Sequence, residues 1–255
     1  MSMKKHTLAI LSFSLVVAGS VYAQMGRMPG PAYNSAMAKL FGDNKAFSAD
    51  VEIQSATSDQ SQTSMPGKMM VDARKSRFEM NLADAKGTRM APSTVEQMKS
   101  MGMDKTVAIS RPDLKLNYLV YPGLSSYIAN PLQDQDAAKP DSAFKVETTE
   151  LGKETVDGHP CIKNKVVVTD DQGKSHESTV WNATDLKKFP VKIVTSDGGT
   201  TATLLFKNIS TTKPDASLFD PPTDYKKYDN FQGLMMEQMK KRMGGMNMPT
   251  APGHP

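Results

Sequence analysis

The stretch AFSADVEIQS, residues 46–55, puts Phe47, Ala49, Val51 and Ile53 at every second position, with Ser48, Asp50, Glu52 and Gln54 between them. Successive side chains of a β-strand point to opposite faces, so this period of two specifies a strand with one apolar and one wet face. Antiparallel sheets tolerate water on one side, whereas parallel sheets are covered on both. The pattern returns in RFEMNL, where Phe78, Met80 and Leu82 alternate with Arg77, Glu79 and Asn81, and more loosely in GKMMVD. Arg74-Lys75-Ser76 between them reads as a tight turn.

Further strands are expected at KTVAISR, KLNYLVYP, FKVETTEL, CIKNKVVVTD, KSHESTVWN, PVKIVTS and TATLLFKNI, about ten in all. Turn chemistry separates the later ones at Asp157-Gly158, Asp170-Asp171-Gln172-Gly173 and Asp197-Gly198-Gly199. APSTVEQMKSMGM breaks the period: Ser93 and Glu96 have capping-box spacing, and Val95, Met98 and Met101 follow at helical intervals. A last helix is expected after Asp229, with a stripe of Phe231, Met235, Met239 and Met243 and a stop at Gly244-Gly245. Ala36 to Phe41 reads as a short helix, and 131–143 as a polar loop or lid. One-sided strands need a cover, and the helices supply it.

Lys4 and Lys5 precede an apolar run, Leu8 to Gly19, that is too short to span a bilayer. Ser20-Val21-Tyr22-Ala23 follows, so residues 1–23 read as a signal peptide cleaved after Ala23, and the mature chain as exported, periplasmic or secreted, without a transmembrane segment. No cysteine adjoins the cleavage site, which excludes a lipoprotein anchor. Loss of the two lysines lowers the formal charge from +4 to +2, so nothing electrostatic points to nucleic acid. The expected organisation is a lead and short helix over 24–44, one domain over 45–228, an amphipathic helix over 229–244 and a disordered tail over 245–255. Cys161 is the only cysteine, so no internal disulfide forms and the fold rests on its apolar core.

Cys161 lies two residues after His159 in LGKETVDGHPCIKNKVVV. Pro160 between them marks a turn entering a strand. With a hairpin about Asp171-Gln172, paired positions sum to about 343, so His176 faces Val167 and Cys161 faces Asn182. Six residues at ~3.3 Å each leave that imidazole about 20 Å from the thiol. No nucleophile elbow, HExxH or Walker motif occurs. Cys161 is therefore read as the first buried position of its strand, with no enzymatic activity and no cofactor expected. Met243, Met246 and Met248 near the C-terminus resemble thioether sets that hold Cu(I), with Met25, Met28 and His254 as weaker additions; a helical stripe explains the first of them equally well. Asn182-Ala-Thr and Asn208-Ile-Ser fit the glycosylation sequon.

The 19 methionines against 9 phenylalanines make the apolar surface soft, which suits a cavity for a variable greasy ligand or a merely adaptable core. Candidate lining residues are Phe47, Val51, Ile53, Met69, Val71, Phe78 and Met80 on the strands and Val95 and Met98 on the inserted helix. Tyr118, Tyr121 and Tyr127, near Pro122 and Pro131, are placed at a pocket mouth or in the core.

Leu151-Gly152, Gly158, Cys161, Trp181, Asp185-Leu186, Pro190-Val191, Asn208-Ile209, Leu218-Phe219-Asp220 and Pro222 form a pattern. It resembles a domain-of-unknown-function family of exported bacterial proteins with LolA-like architecture, and GKMMVDARKSRFEM and ISRPDLKLNYLVYP extend the likeness over most of 45–228. The resemblance implies a mainly β (α+β) fold: a curved antiparallel sheet forming an incomplete barrel, with one or two helices over its concave face and a hydrophobic cavity between. Relatives of this shape include the lipoprotein carriers LolA and LolB and the envelope-stress sensor RseB. The expected function is binding of a lipid, acyl chain or lipidated protein; the alternatives are an envelope sensor with a protein partner, and Cu(I) binding by the tail.

Overall fold

The computed structural model describes residues 33–57, 62–88, 90–132, 143–197 and 199–244. The expected signal peptide, the start of the lead and the tail lie outside these residues, as does most of the 131–143 loop. The chain is mainly β: twelve strands form one open, curved sheet. They are β1 (Ala46–Thr57), β2 (Gln62–Asp72), β3 (Lys75–Asn81), β4 (Lys105–Arg111), β5 (Leu116–Tyr121) and β6 (Ser126–Pro131), then β7 (Phe144–Val156), β8 (His159–Asp170), β9 (Ser175–Ala183), β10 (Phe189–Asp197), β11 (Thr200–Ser210) and β12 (Lys226–Tyr228). Among the described residues three helices accompany them: α1 (Ser35–Leu40), α2 (Pro92–Ser100) and α3 (Phe231–Gly244). The order across the sheet is β12-β6-β5-β4-β3-β2-β1-β11-β10-β9-β8-β7. Every pair is antiparallel except β12 with β6.

The alternation in β1 survives folding intact, with Phe47, Ala49, Val51 and Ile53 buried. Register carries this face across the sheet: Phe47 stands opposite Val71, Val71 opposite Ser76, and Val51 opposite Phe206. All three helices pack on this face. Asn34 caps α1, its Oδ1 accepting from the Met37 amide at 2.9 Å. The helix then delivers Phe41 onto Phe47, stacked at 4.8 Å between centroids, with Phe189 and Phe206 edge-on to Phe41 at 5.5 and 5.6 Å. Further along, Met98 of α2 and Leu234 of α3 join Leu119, Tyr121, Ile128 and Tyr228 in a second apolar cluster.

The opposite face is closed differently. Met70, Val107, Ile109 and Val120 pack against Phe219, carried there by the segment that leads to β12. Arg77 donates to the Leu218 carbonyl at 2.9 Å, and Arg111 pairs with both Asp113 and Asp220, which holds that segment down. β4 is consequently buried on both sides, whereas β7, at the far edge, is exposed on both. The charges Lys145, Glu147, Glu150, Lys153 and Glu154, with a bulge between Glu150 and Gly152, blunt that edge against pairing with another chain.

Several local expectations shift. The β2–β3 turn is Ala73-Arg74, with Ala73 at φ +56°, because β3 starts one residue into the expected turn. α2 has no capping box: Pro92 sits in its first turn, Ala91 is the N-cap, and no side chain caps it. Proline's missing N–H costs nothing at a position where that group is unpaired anyway. α3 is capped by Asn230, whose Oδ1 accepts from Gly233 N at 2.8 Å. Among its described side chains Leu234 is buried, Phe231 and Met235 are half-buried and Met239 is exposed, so the stripe expected at Met239 does not face the sheet. Strands β6 and β12 are additions to the expected ten.

Phe47→Ala is expected to cost about 3–5 kcal/mol in urea unfolding, since it empties the centre of the aromatic cluster. Thr149→Ala on the exposed edge strand should stay within about 0.5 kcal/mol. On α3, Glu237 pairs with Lys226 and Lys241. The hydrogen bond from Lys226 holds its carboxyl down at about 2, against an ordinary 4.5. A depressed carboxylate stabilises the fold above its unfolded pKa, and that contribution is lost as pH falls through the folded value. Glu237→Gln should therefore be less stable than the parent at pH 7, with the difference shrinking between about pH 5 and pH 2 in thermal melts.

Candidate functional site

The helix-bearing face holds two separate apolar clusters. The larger gathers Phe41, Phe47, Val51, Met69, Phe78 and Phe206 with residues of β8 to β10. The smaller is the α2–α3 cluster at the β5–β6–β12 end. Between them runs β4, which by its register with β3 and β5 gives this face only Thr106, Ala108 and Ser110. Small side chains there leave bulk on either side: Phe78 and Met80 from β3, Leu119 and Tyr121 from β5. Half-buried methionines border both clusters, Met80 on one side and Met90, Met101 and Met235 on the other. A thioether on an unbranched chain re-packs at low cost, so these borders can adapt to a guest.

The strip also holds polar atoms without partners. Thr106 Oγ1 and Asn117 Oδ1 are buried and accept or donate no hydrogen bond among the described residues. Buried polar atoms are normally paired, and an unpaired one points to a water or a ligand group at that place. Burial raises the pKa of the Tyr121 hydroxyl, so it stays protonated on the same face.

Of the nine lining residues named from sequence, Phe47, Val51, Ile53, Met69, Val71 and Phe78 are buried within the larger cluster, and Met80 lies half-buried at its border. Met98 is buried in the smaller cluster, and Val95 is half-buried on α2. The polar strip of β4 and β5 was missed. Its signal was present in TVAIS and LNYLVY, where period two puts Thr106, Ser110 and Asn117 on the face that should be apolar. The three tyrosines do not share a mouth. Tyr118 and Tyr127 form an edge-to-face pair at 5.9 Å on the opposite face, while Tyr121 packs with Phe231.

The thiol lies in the core. Cys161 is buried in the larger cluster, and its Sγ donates to the His159 carbonyl at 3.2 Å. Desolvation pushes the thiol pKa up, with Asp185 and Glu154 adding to it, which disfavours the reactive thiolate. The His159 ring turns instead to Asp185, with Nδ1 2.9 Å from Oδ2. The β8–β9 register is one residue from that expected: Val168 opposes His176 and Cys161 opposes Ala183, because the hairpin centres on Gln172. Seven residues at ~3.3 Å each still keep that imidazole about 23 Å from the thiol.

Residues behind the sequence pattern have similar structural duties. Asp157 and Gly158 both take positive φ in the β7–β8 turn, and Asn208, at φ +49°, lies where the β1–β11 register shifts and donates to Asp50 at 2.7 Å. The Lys163 and Lys192 ammonium groups lie over the Trp181 ring, 5.0 and 4.5 Å from its centroid. Both sequon asparagines are committed to such bonds, Asn182 donating to the Lys188 carbonyl. Among the described residues no group of three or more His, Cys, Asp or Glu converges, and no helix is long and apolar enough to cross a membrane. The Met243 side chain, Met246 and Met248 lie outside the described residues.

No family model and no curated protein matches the chain. Among solved structures it is similar to a LolA superfamily protein of Nitrosomonas europaea, at 10% identity over 74% of this chain and 96% of that one, with a TM-score of 0.39. It is similar also to the lipoprotein LppX of Mycobacterium tuberculosis (12% identity, 70% and 96% covered, TM-score 0.41). LprF from Mycobacterium bovis matches at 16% identity over 71% and 93%, with a TM-score of 0.38. The LolA-like resemblance expected from the sequence is met in the first of these.

Ellman's reagent at pH 8 is expected to react with Cys161 only slowly in the folded protein and at once in urea; rapid reaction of the native protein would contradict a buried, raised-pKa thiol. Cys161→Ser should fold but lose about 1–3 kcal/mol, the usual cost of a hydroxyl in an apolar site.

Proposed function

We propose that this is an exported binding protein, working in the periplasm, that shelters the acyl chain of a lipid or lipidated protein on the helix-bearing face. The observation that supports this reading is the division of that face into two apolar clusters by a strip of small side chains, bordered by half-buried methionines. An acyl chain needs only a water-excluding apolar groove whose walls adjust, because the driving force is burial of its methylenes, about 0.8 kcal/mol each. Ala108 and Ser110 form the floor in this reading, with Met80 and Met101 as its adjustable walls. The buried members of the nine named residues serve as the support behind the groove, and Met80 and Val95 as its contact surface.

Protein purified without detergent should carry a bound lipid in native mass spectrometry, and the delipidated protein should take up cis-parinaric acid with a rise in fluorescence. Met80→Glu should weaken that uptake about tenfold or more, since it puts a carboxylate against the chain. A clean apo mass together with no fatty-acid uptake would sink the proposal.

A further inference from the structure

Four strands of the helix-bearing face end in a row of uncharged polar side chains. Ser76 of β3 stands opposite Ser110 of β4, Ser110 opposite Asn117 of β5, and Asn117 opposite Asn130 of β6. Residues directly opposite in an antiparallel pair put their Cβ atoms about 4.5–5.5 Å apart, so the four form a continuous ladder across the sheet. Ser76 is buried and the other three are half-buried, so the ladder is neither solvent surface nor closed core. Asn117 Oδ1, in the middle, is buried without a hydrogen-bond partner among the described residues.

Among the described residues, strands β3 to β6 place no charged side chain on this face. β3 to β6 turn twelve side chains toward it, from Ser76, Phe78 and Met80 through to Ser126, Ile128 and Asn130, and none is ionisable except the phenol of Tyr121. The arginines of these strands, Arg77 and Arg111, are on the opposite face, committed to Leu218, Asp113 and Asp220. Lys226 is on the row of Ser126, at the other end of the strands, about 13 Å along from Asn130, and is paired with Glu237. Serine and asparagine both donate and accept, and an unpaired carbonyl oxygen calls for a donor. A hydroxyl meets both demands; a carboxylate or phosphate offers acceptors only, leaves the Asn117 oxygen without a donor, and finds no cation on this face of β3 to β6 to pair with.

We infer that the Ser76–Ser110–Asn117–Asn130 ladder is a subsite for the uncharged, hydroxylated head group of an amphipathic ligand, such as a glycerol or sugar moiety, whose acyl chain runs along the β4 strip. The inference rests on the lipid-binding reading and adds selection for neutral over anionic heads to it.

The test measures binding of radiolabelled monooleoylglycerol, oleate and oleoyl lysophosphatidate, which share one chain, by rapid gel filtration. The wild-type protein should hold monooleoylglycerol at least about fivefold tighter than either anionic lipid. Asn117→Leu should weaken monooleoylglycerol about tenfold, the loss of one or two hydrogen bonds, and change oleate less than about twofold. Ser110→Ala, a milder change on the same ladder, should weaken monooleoylglycerol a few-fold and keeps the test open where the leucine variant fails to fold. Equal binding of the three lipids by the wild-type protein, or an unaltered preference in the variants, overturns the subsite while leaving the lipid-binding reading in place. Binding of none of the three overturns both.

Discussion

The stacking of Phe41 on Phe47 is the contact on which the arrangement of the helix-bearing face depends. Phe47 sits in β1, the central strand from which the sheet extends both ways, and Phe41 follows directly on α1. Phe189 and Phe206 close on the same pair from β10 and β11, so one aromatic group ties the first helix to strands more than 140 residues later. Such rings bury large areas and prefer the edge-on and offset geometries seen here. The Asn44 amide, donating to Phe41 and Lys187 carbonyls, secures the connection behind them.

Among the described residues three short helices cover this face of the twelve-stranded sheet, and they do so unevenly. At the β1–β11 centre α1 and the aromatic rings complete the cover; at the β5–β6–β12 end α2 and α3 do so. Between them the face narrows to the small side chains of β4. The opposite face is sealed there by Phe219 and by two arginine anchors. Charge is thereby kept to one side of β4 and β5, and neutral polar groups to the other. That partition makes the strip suited to an uncharged amphipathic guest.

Much of this architecture was legible in the chain. Strict alternation in β1 and β3 identified strands and their buried faces, and Asp157-Gly158 identified a turn, because strand period and positive-φ turn chemistry are local properties. Cys161 was placed as the first buried residue of its strand for the same reason. The missed elements depend on partners. β12 is three residues long and exists by parallel pairing with β6, and β6 is a short segment between two prolines. The α3 stripe was misread because Met235, Met239 and Leu234 have similar apolarity, and only docking on Tyr121 and Tyr228 selects Leu234.

The sequence by itself determined ten of the twelve strands, the class of sheet, the Asp157-Gly158 turn and the burial of the lone thiol, since each follows from the period or stereochemistry of neighbouring residues. Tertiary structure alone decided that Ser76, Ser110, Asn117 and Asn130, spread over 55 positions of chain, stand side by side, and that the arginines lie behind them. Cross-strand register makes those neighbours, and register is a property of paired strands that no single strand carries.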